Sequence, residues 1–237
     1  MGLPQTKPMD ESTAKLDKES LIFRSDIKSW WVLRVMRPLE ILCVRNRISP
    51  NSITIAGLVV CVLCGVLFAT GHILTAGWLV LLGGSLDVLD GRVARATGRV
   101  THQGAFFDSV LDRYQDFFLF AGLAYFYRAS WVLPLVLLAL GGSMVVPYAK
   151  SRAEAFGVSL EHVGAMQRPE RVFVIGFGSM VSSVLQVSLM PFYGKGNPPA
   201  QHLLIFGIAL LAVSTNLTAV KRIRFTLQQL RNKKESQ

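Results

Sequence analysis

The segment SLDVLDGRVARATGRVTHQGAFFDSVLD, residues 85–112, decides the interpretation of this chain. It places four aspartates and three arginines between apolar runs that are long enough to cross a bilayer. An ionised aspartate inside a span costs about 2.5–3.5 kcal/mol on the insertion scale, and less near the interface. Intramembrane charges at this density indicate a functional site.

The composition is typical of a membrane protein. Of the 237 residues 51% are hydrophobic, a larger apolar fraction than an ordinary soluble domain has. The net charge is +10. On such a protein basic residues favour cytoplasmic loops and anionic lipid headgroups. Nucleic acid is not expected as a partner, because the basic residues are not interleaved with exposed aromatic residues on a polar segment.

Six apolar runs predict an all-α integral membrane protein with six transmembrane helices. The runs cover 52–71, 73–90, 105–127, 131–149, 172–193 and 202–220. Before them, residues 25–47 mix tryptophan and aliphatic residues with lysine and arginine, which predicts an amphipathic helix in the membrane interface. The predicted domains are a disordered cytoplasmic tail (1–22), the six-helix domain with its interfacial helix (23–225), and a basic cytoplasmic tail (226–237).

Lysine and arginine predict the orientation. Nine precede the first span, seven lie in the 2–3 and 4–5 connections, and six follow the last span. The opposite connections carry only Arg128 and Lys195. By the positive-inside rule both termini and the aspartate-rich connection face the cytoplasm.

The spacing of the aspartates predicts a metal site. Asp87 and Asp90 are three residues apart and Asp108 and Asp112 are four apart, so each pair shares one helix face. The short turn 96–103 predicts that the two helices are antiparallel neighbours, which brings the four carboxylates together. A divalent cation would relieve their repulsion, and carboxylate ligands select Mg²⁺, Mn²⁺ or Ca²⁺. A ring of buried salt bridges between the aspartates and Arg92, Arg95 or Arg113 is the structural alternative.

Three further residues support a ligand site at these helix ends. Gly91 and Gly104 have no side chain and so allow a ligand to approach the backbone. Arg95 lies one helical turn beyond Gly91 and can contact an anion that the metal holds.

The complete pattern is Asp87-x2-Asp90-Gly91-x2-Ala94-Arg95-x8-Gly104-x3-Asp108-x3-Asp112. It resembles the signature of the CDP-alcohol phosphotransferase family at all eight positions. Members of that family are integral membrane enzymes of phospholipid synthesis. They displace CMP from a CDP-linked donor, usually CDP-diacylglycerol, with an alcohol acceptor.

The resemblance implies a role for each position of the pattern. Asp87, Asp90 and Asp108 would ligate Mg²⁺ or Mn²⁺, and Asp112 would be the general base that accepts the hydroxyl proton, with a possible share in the metal. The donor nucleotide would be bound by Gly91, Ala94, Arg95 and Gly104, together with Asn51 and Thr54 of the similar element SPNSITIAG. A helix cap is the structural alternative for the last two. The family also implies a homodimer, here in a bacterial inner membrane.

Basic residues outside the pattern bear on the acceptor. They are Lys150, Arg152, Arg168, Arg171 and Arg222, all at predicted cytoplasmic helix ends. Such a cluster favours an acceptor that carries its own phosphate over choline, ethanolamine or serine. The elements K-x-R-A-E and R-P-E-R resemble the phosphatidylinositol-phosphate synthase branch, whose acceptor is inositol phosphate. Glycerol 3-phosphate is the alternative acceptor, and snorkelling to the interface is the alternative role for these side chains.

Two other classes of protein fit parts of the sequence. A six-helix cation carrier would use the acids as an ion path, but carriers place such acids near the membrane midplane. A lipid-binding scaffold with a decayed site would not need the complete pattern.

Overall fold

The computed structural model describes residues 34, 36–160, 163, 164, 166–193 and 201–235. Within them the chain forms helices and no strands. The helices are α1 (Arg37–Arg45), α2 (Pro50–Ala69), α3 (Ile73–Ala96), α4 (His102–Phe126), α5 (Leu133–Ala155), α6 (Arg168–Tyr193) and α7 (His202–Glu235). This confirms the all-α prediction. The predicted tail over 1–22 and the first part of the predicted interfacial helix lie outside the described residues.

Five of these helices are long and apolar enough to cross a membrane, namely α2, α3, α5, α6 and α7. The remaining predicted run, 105–127, is also helical, as α4, but α4 carries several charged residues and is not among these five. Large apolar side chains point outward, as in Trp78 at 59% and Phe206 at 65% exposure. Their exposure indicates contact with lipid rather than with a protein core.

Local signals fix the helix starts that lie next to the aspartates. Ser49 caps α2, where its side chain accepts a hydrogen bond from the Ser52 backbone at 3.1 Å and Pro50 is the first helical residue. Thr101 caps α4 by accepting from the Gly104 backbone at 3.0 Å. Gly98, with φ +65°, makes the left-handed turn between α3 and α4. The cap of α2 is therefore Ser49, and the alternative prediction that Asn51 caps this helix is wrong.

The prediction that α3 and α4 pack side by side is wrong. The helix α2 packs against both of them, and α6 packs against α3. Glycines permit the close approach of α2 and α4, since a Cβ on Gly122 would lie 2.6 Å from the Cα of Gly65. The short turn brings only the ends of α3 and α4 together, and those ends carry the aspartates.

The last helix is longer than its apolar run. The run ends at 220, whereas α7 continues to Glu235. Beyond the run, Phe225 and Leu230 pack against a cluster of buried residues at the end of α5 and in the α5–α6 connection, namely Ala153, Val158 and Leu160. The Lys233 ammonium group donates to the carbonyl of Gly157 at 3.0 Å. The predicted basic tail is thus helical as far as Glu235 and holds the connection that precedes α6.

Candidate active site

Three carboxylates meet where α3 ends and α4 begins. One oxygen each from Asp87, Asp90 and Asp108 lies within 4.8 Å of the other two. Asp90 is 6% exposed, and the Thr54 hydroxyl of α2 donates to its Oδ2 at 2.7 Å. Thus α2, which lies between the other two helices, supports the cluster directly.

The residues of this cluster fit a divalent metal ion. All the available ligand atoms are carboxylate oxygens, which hard cations such as Mg²⁺ and Mn²⁺ prefer. Asp108 Oδ1 is buried and has no hydrogen-bond partner among the described residues. A buried carboxylate oxygen without a donor is costly unless a cation contacts it.

Asp112 lies next to an arginine rather than within the three-carboxylate cluster. Arg168, the first residue of α6, forms ion pairs through Nη1 with Asp112 Oδ1 at 2.5 Å and with Asp87. Arg113 is 3.9 Å from the other oxygen of Asp112. The salt-bridge alternative therefore holds for Asp112 through the predicted partner Arg113 and, for both Asp87 and Asp112, through Arg168, which was not among the predicted partners. Asp90 and Asp108 form no ion pair among the described residues.

Two polar residues of the site were missed by the sequence analysis. Gln115 and Asp116 follow Asp112 on α4 and are 2% and 4% exposed. Gln115 Oε1 accepts from Arg168 Nη2 at 2.7 Å, and Asp116 Oδ2 accepts from Arg171 Nη2 at 2.8 Å. Asp116 continues the four-residue spacing of Asp108 and Asp112, and this periodicity was the available signal. The importance of Gln115 had no such signal.

The predicted nucleotide residues lie at the start of α2, the end of α3 and the start of α4. Asn51 is exposed, and its Oδ1 would lie 3.9 Å from a Cβ built on Gly104. The Arg95 guanidinium lies over Gly91, 3.4 Å from the position of a Cβ there. Ala94 is half-buried on the same helix end. The structure thus brings this set near the carboxylates. Thr54 differs from the others in that its hydroxyl is already bonded to Asp90 and is not free to contact a nucleotide.

The five predicted basic residues separate into two groups. Arg168 and Arg171 form ion pairs with the aspartates, and Arg222 is buried on α7. Arg222 is 5% exposed and donates to the carbonyls of Val146 and Val163 at 2.8 and 2.9 Å.

The other two basic residues lie at the end of α5. Lys150 pairs with Glu154 at 3.9 Å, and the Arg152 guanidinium lies 5.4 Å from the ring centre of Phe156. No described contact joins either residue to the aspartates.

Comparison with known proteins agrees with this geometry. Residues 47–220 match the family model of CDP-alcohol phosphatidyltransferase. The chain belongs to this family. Membership confirms the resemblance that the eight-position pattern indicated. It also confirms the predicted enzyme over the cation carrier and the scaffold.

Several relatives within the family are similar over most of their length. A phosphatidylinositol phosphate synthase of Mycobacteroides abscessus is 34% identical over 154 residues, which cover 63% of this chain and 70% of the relative. An archaetidylinositol phosphate synthase of Pyrococcus horikoshii is 36% identical over 154 residues, covering 64% and 81%.

Solved structures are similar as well. The Mycobacterium tuberculosis phosphatidylinositol phosphate synthase with CDP-diacylglycerol bound superposes with a TM-score of 0.67 at 30% identity, covering 81% of this chain and 94% of that one. The same enzyme in complex with manganese and citrate gives 0.68 at 29% identity, covering 81% and 89%. The similarity to these structures therefore includes the amino-acid sequence as well as the fold.

Proposed function

We propose that this membrane enzyme transfers the phosphatidyl group from CDP-diacylglycerol to inositol phosphate, forming phosphatidylinositol phosphate and CMP in a reaction that depends on Mg²⁺ or Mn²⁺. The observation that carries the proposal is that Arg168 joins Asp112 to Asp87 of the three-carboxylate cluster, with Arg171 held nearby by Asp116. The names of the relatives and the CDP-diacylglycerol and manganese complexes of the solved structure support it.

The donor side is formed by the cluster and the nucleotide residues. Asp87, Asp90 and Asp108 would hold a divalent ion, which would supply positive charge for the donor pyrophosphate. Arg95 and the glycine backbones at Gly91 and Gly104 contact the CMP part, together with Asn51 and Ala94. Thr54 acts through Asp90, because its proton is directed to that carboxylate.

Asp112 accepts the proton of the acceptor hydroxyl. The hydroxyl oxygen then forms a bond to the phosphorus of the phosphatidyl group, while the bond from that phosphorus to the CMP oxygen breaks. CMP leaves with the bonding electron pair, and the proton remains on Asp112 until it is released. For this step Asp112 must turn from Arg168 toward the hydroxyl, as a carboxylate can by rotating about χ2.

The acceptor phosphate is bound by Arg168, Arg171 and Arg222. Arg171 Nε is buried and has no hydrogen-bond partner among the described residues, so it has a donor available for an anion. Lys150 and Arg152 belong to the edge of this site, because both are oriented to the surface.

In the membrane, α4 forms the third of six spans, and α1 is the end of an interfacial helix. Leu39, Ile41 and Leu42 of α1 are 40–58% exposed beside the exposed Arg37 and Arg45, which suits a lipid headgroup layer. The active site faces the cytoplasm, and the enzyme is a homodimer.

An acceptor panel tests the reaction. The purified protein in detergent, with Mg²⁺ and labelled CDP-diacylglycerol, is offered inositol phosphate, glycerol 3-phosphate, inositol or serine, and the lipid formed is identified. We expect phosphatidylinositol phosphate with one CMP released per lipid, and no product from Asp108→Asn. A preference for glycerol 3-phosphate would replace the acceptor and leave the donor chemistry intact.

Arginine variants test the acceptor site. Arg168→Ala or Arg222→Ala should raise the acceptor KM about tenfold to a hundredfold, since a charge-assisted hydrogen bond is worth roughly 1.5–3 kcal/mol, and leave the donor KM nearly unchanged. Lysine should rescue only partly because it lacks the bidentate fork. The matched control is Arg224→Ala, an exposed arginine two residues along α7 from Arg222. If Arg222→Ala and Arg224→Ala had equal effects, Arg222 would act only as a basic residue at the membrane interface and not as a ligand of the acceptor phosphate.

A further inference from the structure

A buried polar layer lies behind the aspartates of the eight-position pattern. It consists of Gln115 and Asp116 on α4 and of Arg171 on α6, each at most 4% exposed. Buried charges inside a helix bundle require partners, since an unpaired ion there is costly. These partners come from positions more than fifty residues apart in the sequence.

The two oxygens of Asp116 face two different arginines. Oδ2 is 2.8 Å from Arg171 Nη2, and Oδ1 is 3.8 Å from Arg168 Nε. Gln115 Oε1 accepts a hydrogen bond from a different nitrogen of Arg168, Nη2, at 2.7 Å. Adjacent residues of α4 thus fix both guanidinium groups relative to Asp112, one turn earlier on the same helix.

This arrangement leaves the donors of Arg171 only partly used. Asp116 occupies Nη2, while the buried Nε has no hydrogen-bond partner among the described residues. A buried guanidinium that is held at one nitrogen and free at another is suited to bind an anion with the free one. A buried ion pair adds little stability over an apolar pair of similar volume. The pair is therefore weak evidence for a stabilising role, and the free Nε of Arg171 favours a role in positioning.

We propose that Asp116 is a positioning residue, which holds Arg168 and Arg171 in the orientation that binds the acceptor phosphate beside Asp112. The proposal rests on the proposed function and extends it to a residue outside the family pattern. The physical gain is preorganisation, because arginines fixed before binding do not lose side-chain freedom when the phosphate arrives. Without the Asp116 carboxylate, Arg171 is free to turn toward the other aspartates.

The test is Asp116→Asn, which keeps the shape of the side chain and removes its charge. Acceptor KM, donor KM, Mn²⁺ binding by electron paramagnetic resonance and thermal unfolding are measured in the same detergent. We expect the acceptor KM to rise about tenfold, near the lower bound for one charge-assisted hydrogen bond, with Mn²⁺ affinity and donor KM within twofold of the wild type. An unchanged acceptor KM, or a parallel rise in both KM values, would overturn the proposal.

Two variants separate positioning from folding. Asp116→Glu keeps the charge and should recover part of the acceptor affinity. It also serves as the test if the asparagine variant does not fold, with an acceptor KM raised several-fold and a donor KM unchanged. The exchange Asp116→Arg with Arg171→Asp restores an ion pair between α4 and α6 but moves the guanidinium to the wrong helix. The exchanged protein should fold and should still have a raised acceptor KM. If its acceptor KM equals that of the wild type, the ion pair has only a structural role.

The control is Glu40→Gln. Glu40 accepts from Arg92 at 2.6 Å with a side-chain exposure of 21%, so the variant breaks another partly buried ion pair, one that joins α1 to α3. It should not change the acceptor KM.

The acceptor panel on the wild type distinguishes failure of the proposed function from failure of the positioning proposal. If the wild type uses a different phosphorylated acceptor, the Asp116 measurement is made on that acceptor. If the wild type uses only unphosphorylated acceptors and Asp116→Asn leaves their KM unchanged, the positioning proposal fails.

Discussion

The Thr54 hydroxyl is the one described contact from α2 to the carboxylate cluster, and replacing it tests how the cluster is supported. Thr54→Val keeps the β-branched shape and removes only the oxygen and its proton. The hydroxyl is 2.7 Å from Asp90 Oδ2 and 3.1 Å from the Pro50 carbonyl. Because one proton serves one acceptor at a time and the carboxylate is nearer, the loss falls mainly on Asp90.

The expected loss follows from the type of hydrogen bond. A bond to a charged group contributes roughly 1.5–3 kcal/mol, and outer-shell partners of metal ligands typically contribute about tenfold to a hundredfold in metal affinity. Both residues are buried, at 4% and 6% exposure, so water does not replace the hydroxyl. We therefore expect Mn²⁺ binding to weaken by about tenfold to a hundredfold.

The assay is a Mn²⁺ titration followed by electron paramagnetic resonance, paired with the Mg²⁺ dependence of CMP release. Thr54→Ser should bind Mn²⁺ nearly as the wild type does. The control is Thr215→Val on α7, because Thr215 is fully buried and its hydroxyl bonds only to the Leu211 carbonyl of its own helix at 2.6 Å. That variant should leave Mn²⁺ binding unchanged.

One outcome would refute this reasoning. If Thr54→Val binds Mn²⁺ within twofold of the wild type but binds CDP-diacylglycerol more weakly, then Thr54 contacts the nucleotide, as the sequence alone predicts. A loss of both in equal measure, together with a lower unfolding temperature, would indicate damage to the fold.

Three further predictions concern the aspartates and the helix packing. Asp108→Asn should abolish both Mn²⁺ binding and CMP release, and retention of either at low metal concentration would exclude it as a ligand. Asp112→Asn should lower kcat by about 10²–10⁴-fold, as expected for a general base, with Mn²⁺ binding intact, whereas a parallel loss of binding would make Asp112 a fourth ligand. Gly122→Ala should destabilise the protein by about 1–3 kcal/mol through overpacking, and should lower the unfolding temperature in detergent. Gly141→Ala is its control, since a Cβ there meets nothing within 4 Å.

Hydropathy predicted where the helices lie but not where three of them end. The α3 helix continues from 90 to Ala96 through its aspartates and arginines, α5 continues from 149 to Ala155, and α7 continues from 220 to Glu235. In all three cases the additional turns pack on protein or line the site, so their residues do not need to be apolar throughout. A scale that measures transfer into lipid does not detect a helix that is stabilised by other protein segments.

The site was predictable where spacing along one helix carries it. The pairs Asp87 with Asp90 and Asp108 with Asp112 follow from helix periodicity, and the structure brings the first pair together with Asp108. The approach of α6 was not predictable in this way, because it depends on packing between distant segments. Consequently the contact of Arg168 with two of the aspartates, and the contacts of Asp116, emerge only from the fold.

The balance of charge indicates that the carboxylates need a cation in addition to the arginines. Five aspartates and three arginines form the cluster, namely Asp87, Asp90, Asp108, Asp112, Asp116, Arg113, Arg168 and Arg171. Two negative charges are left in excess, and a single divalent ion supplies the matching charge. The arginines contact Asp87, Asp112 and Asp116, so the excess lies toward Asp90 and Asp108, which have no ion pair among the described residues. A metal ion that Asp90 and Asp108 share with Asp87 would offset this excess, while the arginines offset the charge of Asp112 and Asp116. A pyrophosphate donor and a phosphorylated alcohol would then both be able to approach Asp112 without net repulsion.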